Sequence, residues 1–266
     1  MIKLENTEVL GWEAAIRGMR NPMNSWEKSD SLFLGGYNCE TGDADANDIS
    51  DHIILFDMLD SAYEELMRQD YQIGPNDQKL MMNLAKAGSV DAKYRRMIVV
   101  TVDITAPLYW WKEFDTYKVG TVANSCSTMH KIQAKEFTME DFSCEHLLLV
   151  TDVSSHDIDV PFIPVDQAET VRTSPNGLMY ITISMLNKCR SLYLETKDKR
   201  YWWQMIQLLP SSYNQRRTVM LNYEVLAGIY PKRKDHKLDE WHTFCDWIKS
   251  LPYSEIITLE EMRKEK

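Results

Sequence analysis

The sequence predicts an α/β (α+β) fold in which a central mixed β-sheet is flanked by long helices. Several segments place apolar residues at helical spacing, and one run, Arg96 to Thr105, is rich in β-branched residues and has the length of a central strand. The chain has 266 residues, of which 44% are hydrophobic, so it can bury a full core. We therefore expect one elaborated domain over residues 1 to 266.

The net charge and the cysteines narrow the class of ligand. The formal charge is −10 at pH 7, which disfavours nonspecific binding to nucleic acid or to anionic membranes and favours small-molecule ligands. The 5 cysteines are widely spaced without a C-x-x-C, so we expect reduced thiols. No apolar stretch approaches the roughly 20 residues that span a bilayer, and the N-terminus lacks a signal-peptide pattern. These features predict a cytoplasmic protein with no nucleic-acid or membrane partner.

Apolar periodicity predicts helices in the first half of the chain. One stripe begins at Val9 and Leu10, and Asn21-Pro22 interrupts it. The first predicted helix ends near Met19. A second spans Ile54 to Gln69, and a third spans Leu80 to Ala87 and stops at Gly88. The last two of these three predicted helices lie between the polar residues 27 to 51 and the first clear strand.

Residues 27 to 51 are polar and irregular, and they predict a long surface loop or insertion. Their acidic run GDADANDISD has the spacing of the first three ligands of an EF-hand. Asp48, however, stands where that loop requires glycine, and Ile54 stands where the bidentate Glu belongs. The pattern therefore does not predict a calcium site.

The second half is predicted to mix helices and strands. Pro107 opens a helix that runs to Lys118, in which Trp110 and Trp111 pack against the sheet. Residues 132 to 175 predict a second insertion. The later elements are a turn at Ser174 to Gly177, a long helix to about Leu194, a helix from Tyr201 to Leu209, a strand from Arg216 to Leu221, a helix capped by Asn222, and a helix from Leu238 to Leu251. The charged tail EEMRKEK is predicted to be frayed.

General catalytic motifs are absent from the sequence. It contains no P-loop, no G-x-G-x-x-G, no G-x-S-x-G and no H-E-x-x-H, and its 6 histidines lack metal-ligand spacing. We therefore expect no metal site and no simple hydrolase.

The segment from Ala106 to Lys131 is the strongest candidate for a functional site. A strand feeds an aromatic helix and then a loop rich in Gly, Ser, Thr and Asn. Such a loop places hydroxyls, amides and backbone N–H groups at one edge of a sheet, where an anionic or nucleotide ligand can bind. The alternative is a polar loop that satisfies its own backbone.

The spacing within this segment carries a family resemblance. Ala106-Pro107 and the aromatic helix are followed, at fixed spacings and without a gap, by five short blocks. These blocks are Thr116-Tyr117-Lys118, Thr121, Ala123-Asn124, Cys126 and Thr128-Met129. This layout resembles the flavin-dependent thymidylate synthase (thymidylate synthase-complementing protein) family, which has Arg-His-Arg, Ser, Asn-Glu, Ser and Arg-Tyr at these places.

Two further blocks resemble the same family. Leu209-Pro210, the strand with Arg216, and Asn222-Tyr223-Glu224 follow the family's Leu-Pro, Arg and Asn-Ala-Arg in the same order. Near the N-terminus, residues 15 to 17 and Asn24-Ser25 resemble the family's helix followed by an Arg and Ser turn.

The departures concern the arginines that bind the dUMP phosphate in this family. Thr128, Glu224 and Gln207 stand at three of those positions, and a Glu in place of an Arg reverses the local charge. The family's flavin-contacting His is also missing, with residues 89 to 91 in its neighbourhood. The candidate replacement cations are Arg17, Arg20, Lys118, Arg216 and Arg217. Because strand faces alternate, one of the last two should face inward, and we expect Arg216 to be that one. The alternative is that both arginines lie on the surface or in ion pairs.

The resemblance implies an enzyme that reductively methylates dUMP to dTMP with FAD, NADPH and methylenetetrahydrofolate. It implies no specific catalytic residue. The implied substrate-binding residues are Thr121, Asn124, Cys126, Thr128 and Arg216, and the implied cofactor-binding residues are Ser25, Lys118, Asn222 and His130. It also implies a homo-oligomer, a tetramer with sites that span subunits.

Several alternatives stay open at this level. Cys126 is either a structural thiol or a nucleophile, and His130 either contacts a ligand or lies on the surface. The chain could be a same-fold flavin or nucleotide enzyme with a different pyrimidine substrate, which fits the lost phosphate arginines. It could also be a non-catalytic binding protein that kept the scaffold.

Overall fold

A computed structural model describes residues 2–33, 71–149, 158–162 and 169–259. For residues 158–162 and 169–173 only the backbone is described. The strands are β1 (Lys3–Leu10), β2 (Leu32–Phe33), β3 (Tyr71–Gln72), β4 (Val99–Pro107), β5 (Val122–Ser125), β6 (Ile158–Phe162), β7 (Glu169–Thr173) and β8 (Asn214–Asn222). The α-helices are α1 (Trp12–Arg20), α2 (Pro75–Ala87), α3 (Leu108–Phe114), α4 (Thr128–Lys131), α5 (Pro175–Thr196), α6 (Lys199–Leu208), α7 (Tyr223–Arg233), α8 (Asp239–Ser250) and α9 (Glu255–Thr258).

The chain forms two compact units, each built from separate stretches. The first unit comprises Met1–Glu8, Val100–Leu221 and Pro231–Ile248, and the second comprises Val9–Val99, Asn222–Tyr230 and Lys249–Lys266. The predicted single domain with insertions at 27–51 and 132–175 stays a prediction. The predicted helix at 54–69, the acidic run and the charged tail lie outside the described residues. Within the described ranges, no helix is long and apolar enough to cross a membrane, and no group of side chains could hold a metal ion.

A four-stranded sheet organises the first unit, with the strand order β1-β4-β8-β5. Along β4 the burial alternates, so that Val100, Val102 and Ile104 are buried while Thr101 and Asp103 are partly exposed on the other face. Such alternation is expected for a sheet with one packed face. The predicted central strand is therefore confirmed, although it begins at Val99 because residues 93–96 form a 3-10 turn.

The packed face of the sheet is covered by aromatic side chains from α3 and α8. Trp110, Trp111 and Phe114 are fully buried, and Trp110 lies 4.8 Å from Trp241, centroid to centroid. The indole N–H of Trp111 donates to the Gln215 carbonyl at 3.0 Å, which fastens α3 to β8. The predicted packing role of the two tryptophans is confirmed.

The long helix α5 and helix α6 build a second core in the first unit. Its buried members include Phe137, Phe142, Ile183, Leu186 and Met205. The predicted turn at residues 174 to 177 is instead the start of α5. Ser174 caps this helix, because its hydroxyl oxygen accepts from the Gly177 N–H at 3.0 Å and Pro175 occupies the first turn.

In the second unit, α1 packs through the indole ring of its first residue, Trp12, which contacts three tyrosine rings. Trp12 stacks on Tyr71 at 5.1 Å and meets the ring edges of Tyr223 and Tyr253 at 5.3 and 5.2 Å. At the start of α7, the Asn222 side chain accepts from the Val225 N–H at 3.0 Å, which confirms the predicted cap.

Three predicted boundaries were wrong in informative ways. Val9 and Leu10 end β1 rather than begin α1, because Gly11 at φ 92 breaks the chain direction between them and Trp12. Helix α3 ends at Phe114, four residues before Lys118. The loop predicted up to Lys131 contains β5 and the short helix α4.

Candidate functional site

The loop from Lys118 to Lys131 is held against β8 by backbone pairing. Strand β5 runs antiparallel to β8, with Val122 opposite Met220 and Asn124 opposite Thr218. The pairing continues past β5, where the Cys126 N–H donates to the Arg216 carbonyl at 2.9 Å. The Gln215 side chain then donates to the Cys126 carbonyl at 3.0 Å. The loop therefore lies at the edge of the sheet, as its composition predicted.

Several polar side chains of this loop have no hydrogen-bond or ion-pair partner among the described residues. Among the described residues, the side chains of Lys118, Asn124, Thr128 and His130 make no hydrogen bond or ion pair, and Asn124 and His130 are exposed. The Thr121 hydroxyl is buried and has no hydrogen-bond partner within the described part of the chain. Such a group costs free energy unless a water or a ligand satisfies it.

The loop also satisfies part of its own backbone, as the alternative interpretation expected. The Ser127 hydroxyl oxygen accepts from the His130 N–H at 3.1 Å and caps α4. Cys126 is exposed, so it is not packed in a core, and its thiol makes no hydrogen bond to any described residue. No described base therefore activates it, which leaves the nucleophile interpretation without support.

The exposed face of the sheet carries a carboxylate surrounded by donors. Asp103 on β4 accepts from the Thr218 hydroxyl at 2.5 Å, from the Asn6 amide at 2.8 Å and from Arg216 Nη2 at 2.7 Å. These hydrogen bonds, that of Thr218 foremost, hold the pKa of Asp103 well below its usual range. We name these four residues the Asp103 cluster. Sequence reasoning missed Asp103, because only the strand pairing brings it to Arg216.

The two neighbouring arginines of β8 point to opposite faces, as strand geometry requires. The expectation that Arg216 faces inward was wrong: its side chain lies on the exposed face and is 47% exposed. Arg217 is the inward one, with its guanidinium carbon 4.1 Å from the Trp111 ring centroid. It also pairs with Asp115 at 2.7 Å. The burial pattern of β8 places Arg217 on the packed face, and its guanidinium stacks there on the Trp111 ring.

The charge reversal at Glu224 has a structural explanation. In the second unit, Glu224 accepts from Arg95 Nε at 2.9 Å and lies 2.8 Å from Arg95 Nη2. Arg95 is buried and also donates to the Ile256 carbonyl at 3.1 Å. Glu224 therefore neutralises a buried cation, which accounts for an acidic residue at this position.

The remaining candidate cations differ in their availability. Arg20 is buried against Asp77 at 2.6 Å, and Arg17 pairs with Glu13 at 2.9 Å. Of the five candidates named from the sequence, Lys118 alone lacks a carboxylate partner among the described residues. Neither Arg17 nor Arg20 is thus free to act as a replacement cation.

Ser25 and Asn222 belong to the second unit, whereas the other predicted site residues belong to the first. The Ser25 carbonyl accepts from Arg20 Nη1 at 3.1 Å. The Asn222 side chain caps α7. Each therefore has a structural contact of its own, and their predicted cofactor contacts stay predictions.

Tyr117, which is aligned with the family's central His, lies in a network that the sequence did not reveal. Arg233 donates to the Tyr117 hydroxyl at 2.8 Å and to Glu113 at 2.6 Å, and its guanidinium carbon lies 4.5 Å from the Trp241 ring centroid. His236 Nε2 is 3.4 Å from the same Glu113 oxygen. Arg233 thus joins the Tyr117 hydroxyl to Glu113 of α3, and Tyr117 has a structural contact of its own.

Of the comparisons with known proteins, the one with solved structures found a likeness, and it concerns the fold. No protein-family model matches the sequence, and no curated protein matches it. The small sheet and the many helices define an α/β fold that is similar to the flavin-dependent thymidylate synthases.

Three solved structures show this likeness. Thymidylate synthase X from Helicobacter pylori with FAD and dUMP is 12% identical, with both chains covered at 100% and a TM-score of 0.55. A second structure of that enzyme, complexed with FAD and dUMP, is 13% identical over 97% of this chain and 98% of the other, with a TM-score of 0.56. The UMP/dUMP methylase PolB from Streptomyces cacaoi, bound with 5-Br UMP, is 12% identical over 97% and 95%, with a TM-score of 0.51. The predicted fold is confirmed, and family membership stays a prediction.

Proposed function

We propose that the protein is a flavin-dependent enzyme that methylates a uracil-type pyrimidine, related to the flavin-dependent thymidylate synthases. The observation that carries the proposal is the polar loop of residues 118–131 at the edge of the sheet, called the edge loop below. Several of its polar side chains have no partner among the described residues, and it lies on a fold shared with enzymes crystallised with FAD and dUMP. The finer reaction, methylation of dUMP to dTMP with FAD, NADPH and methylenetetrahydrofolate, comes from the family resemblance. The homotetramer has the same origin, whereas the cytoplasmic location was predicted from the apolar pattern and the N-terminus, and both stay predictions.

The chemistry of the edge loop fits a flavin dinucleotide. The pyrophosphate of FAD needs cations and hydrogen-bond donors, and Lys118 and His130 supply them without breaking an existing contact. Asn124, Thr128 and Thr121, which the resemblance assigns to the substrate, add an amide and two hydroxyls to the same loop, and the buried Thr121 hydroxyl lacks a partner among the described residues. When bound, the flavin supplies the electrons that the reductive transfer of a one-carbon unit requires. The role of these residues is to bind and orient.

FAD binding by the purified protein tests this proposal. We expect the wild-type protein to quench the fluorescence of added FAD in a saturable titration. Lys118→Ala should weaken the affinity about fivefold, the equivalent of roughly 1 kcal/mol for one lost charge-assisted contact. Lys79→Ala is the matched control, because Lys79 is an exposed lysine on α2, in the second unit, and its side chain pairs with none of the described residues.

Two results would contradict the proposal. A protein that takes up no FAD would favour the non-catalytic alternative. An equal loss of affinity in the Lys118 and Lys79 variants would remove the edge loop as the binding site, since both changes alter the net charge equally.

A further inference from the structure

The Asp103 cluster has the composition of an anion-binding site. Its donors are a guanidinium (Arg216), a hydroxyl (Thr218) and a side-chain amide (Asn6), and they come from the two strands on either side of β4. Arginine with such polar donors is the set that proteins use to bind phosphate oxygens. The position of the bound anion is occupied by the chain's own carboxylate.

The carboxylate is fully engaged in this arrangement. Asp103 Oδ1 accepts from Thr218, and Oδ2 accepts from both Asn6 and Arg216. Asn6 adopts a left-handed backbone conformation at φ 53, which asparagine tolerates better than most residues. Asp103 is 16% exposed although it lies on the exposed face of the sheet. A ligand phosphate would therefore have to displace an ionised group from three hydrogen bonds.

The other cation of the same strand offers no substitute. Arg217 is paired with Asp115 at 2.7 Å and stacks on Trp111 on the packed face. Arg216 itself has a second carboxylate nearby, Glu5, at 4.0 Å. Both arginines of β8 are thus neutralised by acidic residues of the chain.

We propose that Asp103 is a built-in anion that closes the Arg216 site to a phosphomonoester, so that the pyrimidine bound by this protein needs no phosphate and can be a nucleoside or a free base. The pyrimidine part of this statement rests on the proposed function. The solved structures with this fold name dUMP and 5-Br UMP as ligands, both monophosphates. The inference therefore separates this chain from those proteins by substrate class.

Calorimetric titration of the purified, FAD-loaded protein tests the inference. The probes are deoxyuridine, dUMP and inorganic phosphate, and the variants are Asp103→Asn and Asp103→Ser. Glu8→Gln is the matched control, because Glu8 is an exposed carboxylate on the same sheet that accepts from Thr101 at 3.1 Å and lies outside the cluster. Circular dichroism and thermal melting establish that each variant is folded, and the serine variant serves if the asparagine variant is not.

We expect the wild-type protein to bind deoxyuridine and dUMP with affinities within about threefold of each other, since a phosphate without a cation adds little. Both Asp103 variants should bind dUMP and inorganic phosphate at least about tenfold more tightly than the wild type, the size of one good charge-assisted contact. Glu8→Gln removes the same charge and should change these affinities by less than about threefold.

Two results would overturn the inference. One is a wild-type protein that prefers dUMP over deoxyuridine by more than about tenfold, equivalent to an intact phosphate site. The other is an Asp103 variant that binds phosphate no better than Glu8→Gln. If the wild type binds neither FAD nor a pyrimidine, the proposed function fails, and the phosphate titration of the Asp103 variants still decides whether the carboxylate closes the Arg216 site.

Discussion

Replacing Asp77 by alanine is expected to lower the free energy of unfolding by about 3–5 kcal/mol, because it leaves a buried charge without its partner. Asp77 is fully buried and Arg20 is 4% exposed, with 2.6 Å between Arg20 Nε and Asp77 Oδ1. The hydroxyls of Ser29 and Ser31 also donate to Asp77, each at 2.7 Å. Urea unfolding followed by tryptophan fluorescence measures the loss.

The control for this prediction is the other arginine of α1. Glu13→Ala breaks the ion pair between Arg17 and Glu13, whose side chains are 67% and 56% exposed. An exposed pair of this kind contributes about 0–1 kcal/mol. If both variants lost the same small amount, the Arg20 to Asp77 pair would not be the buried anchor that the contacts indicate.

The same pair predicts how stability depends on pH. Burial raises the pKa of Asp77, but hydrogen bonds from Ser29, Ser31 and Arg20 outweigh burial and hold it below its ordinary value. A depressed carboxyl pKa stabilises the fold above the unfolded pKa, about 3.9, and this contribution is lost as the pH falls through the folded pKa. The stability difference between wild type and Asp77→Asn should therefore be constant from about pH 5 upwards and shrink below about pH 4. A difference that grew on acidification would contradict this assignment.

Local sequence rules predicted the elements that carry local signals. The β-branched run of β4, the cap at Asn222 and the stop at Gly88 depend on residues within one element, and the structure confirms them. The rules missed β1 and β5. All four residues of β5 are exposed, so it carries no buried alternation, and its pairing with β8 alone makes it a strand. Edge strands of this kind become recognisable only when their partners are known.

The candidate site shows the same limit. Its place at the edge of a sheet followed from the order strand, helix and polar loop. The charge balance did not, because the ion pairs that decide it join residues far apart in the chain: Arg216 lies 113 positions from Asp103, and Glu224 lies 129 positions from Arg95. A comparison of sequences shows only whether an arginine is present or absent at each position of the family's phosphate site. Only the fold shows which arginines are already neutralised.

Gly11→Ala is expected to destabilise the protein by about 3 kcal/mol or more, from a left-handed backbone worth roughly 1–2 kcal/mol and from a steric clash of similar size. Gly11 has φ +92, and an added Cβ would lie 2.2 Å from the Met97 carbonyl oxygen. That oxygen belongs to the backbone, so no side-chain rotation relieves the contact. Thermal unfolding by circular dichroism measures the effect.

Gly228→Ala separates this clash from a general effect of replacing glycine. Gly228 lies within α7, and an added Cβ there would lie within 4 Å of no described atom beyond its chain neighbours and the backbone of its own helix. Alanine in a helix interior is favoured over glycine by about 0.5–1 kcal/mol, so this variant should be slightly more stable than the wild type. Opposite signs for the two substitutions would establish that Gly11 is needed for the close approach of the α1 start to residue 97. Equal destabilisation would contradict that explanation, because the two sites differ in backbone conformation and in available space.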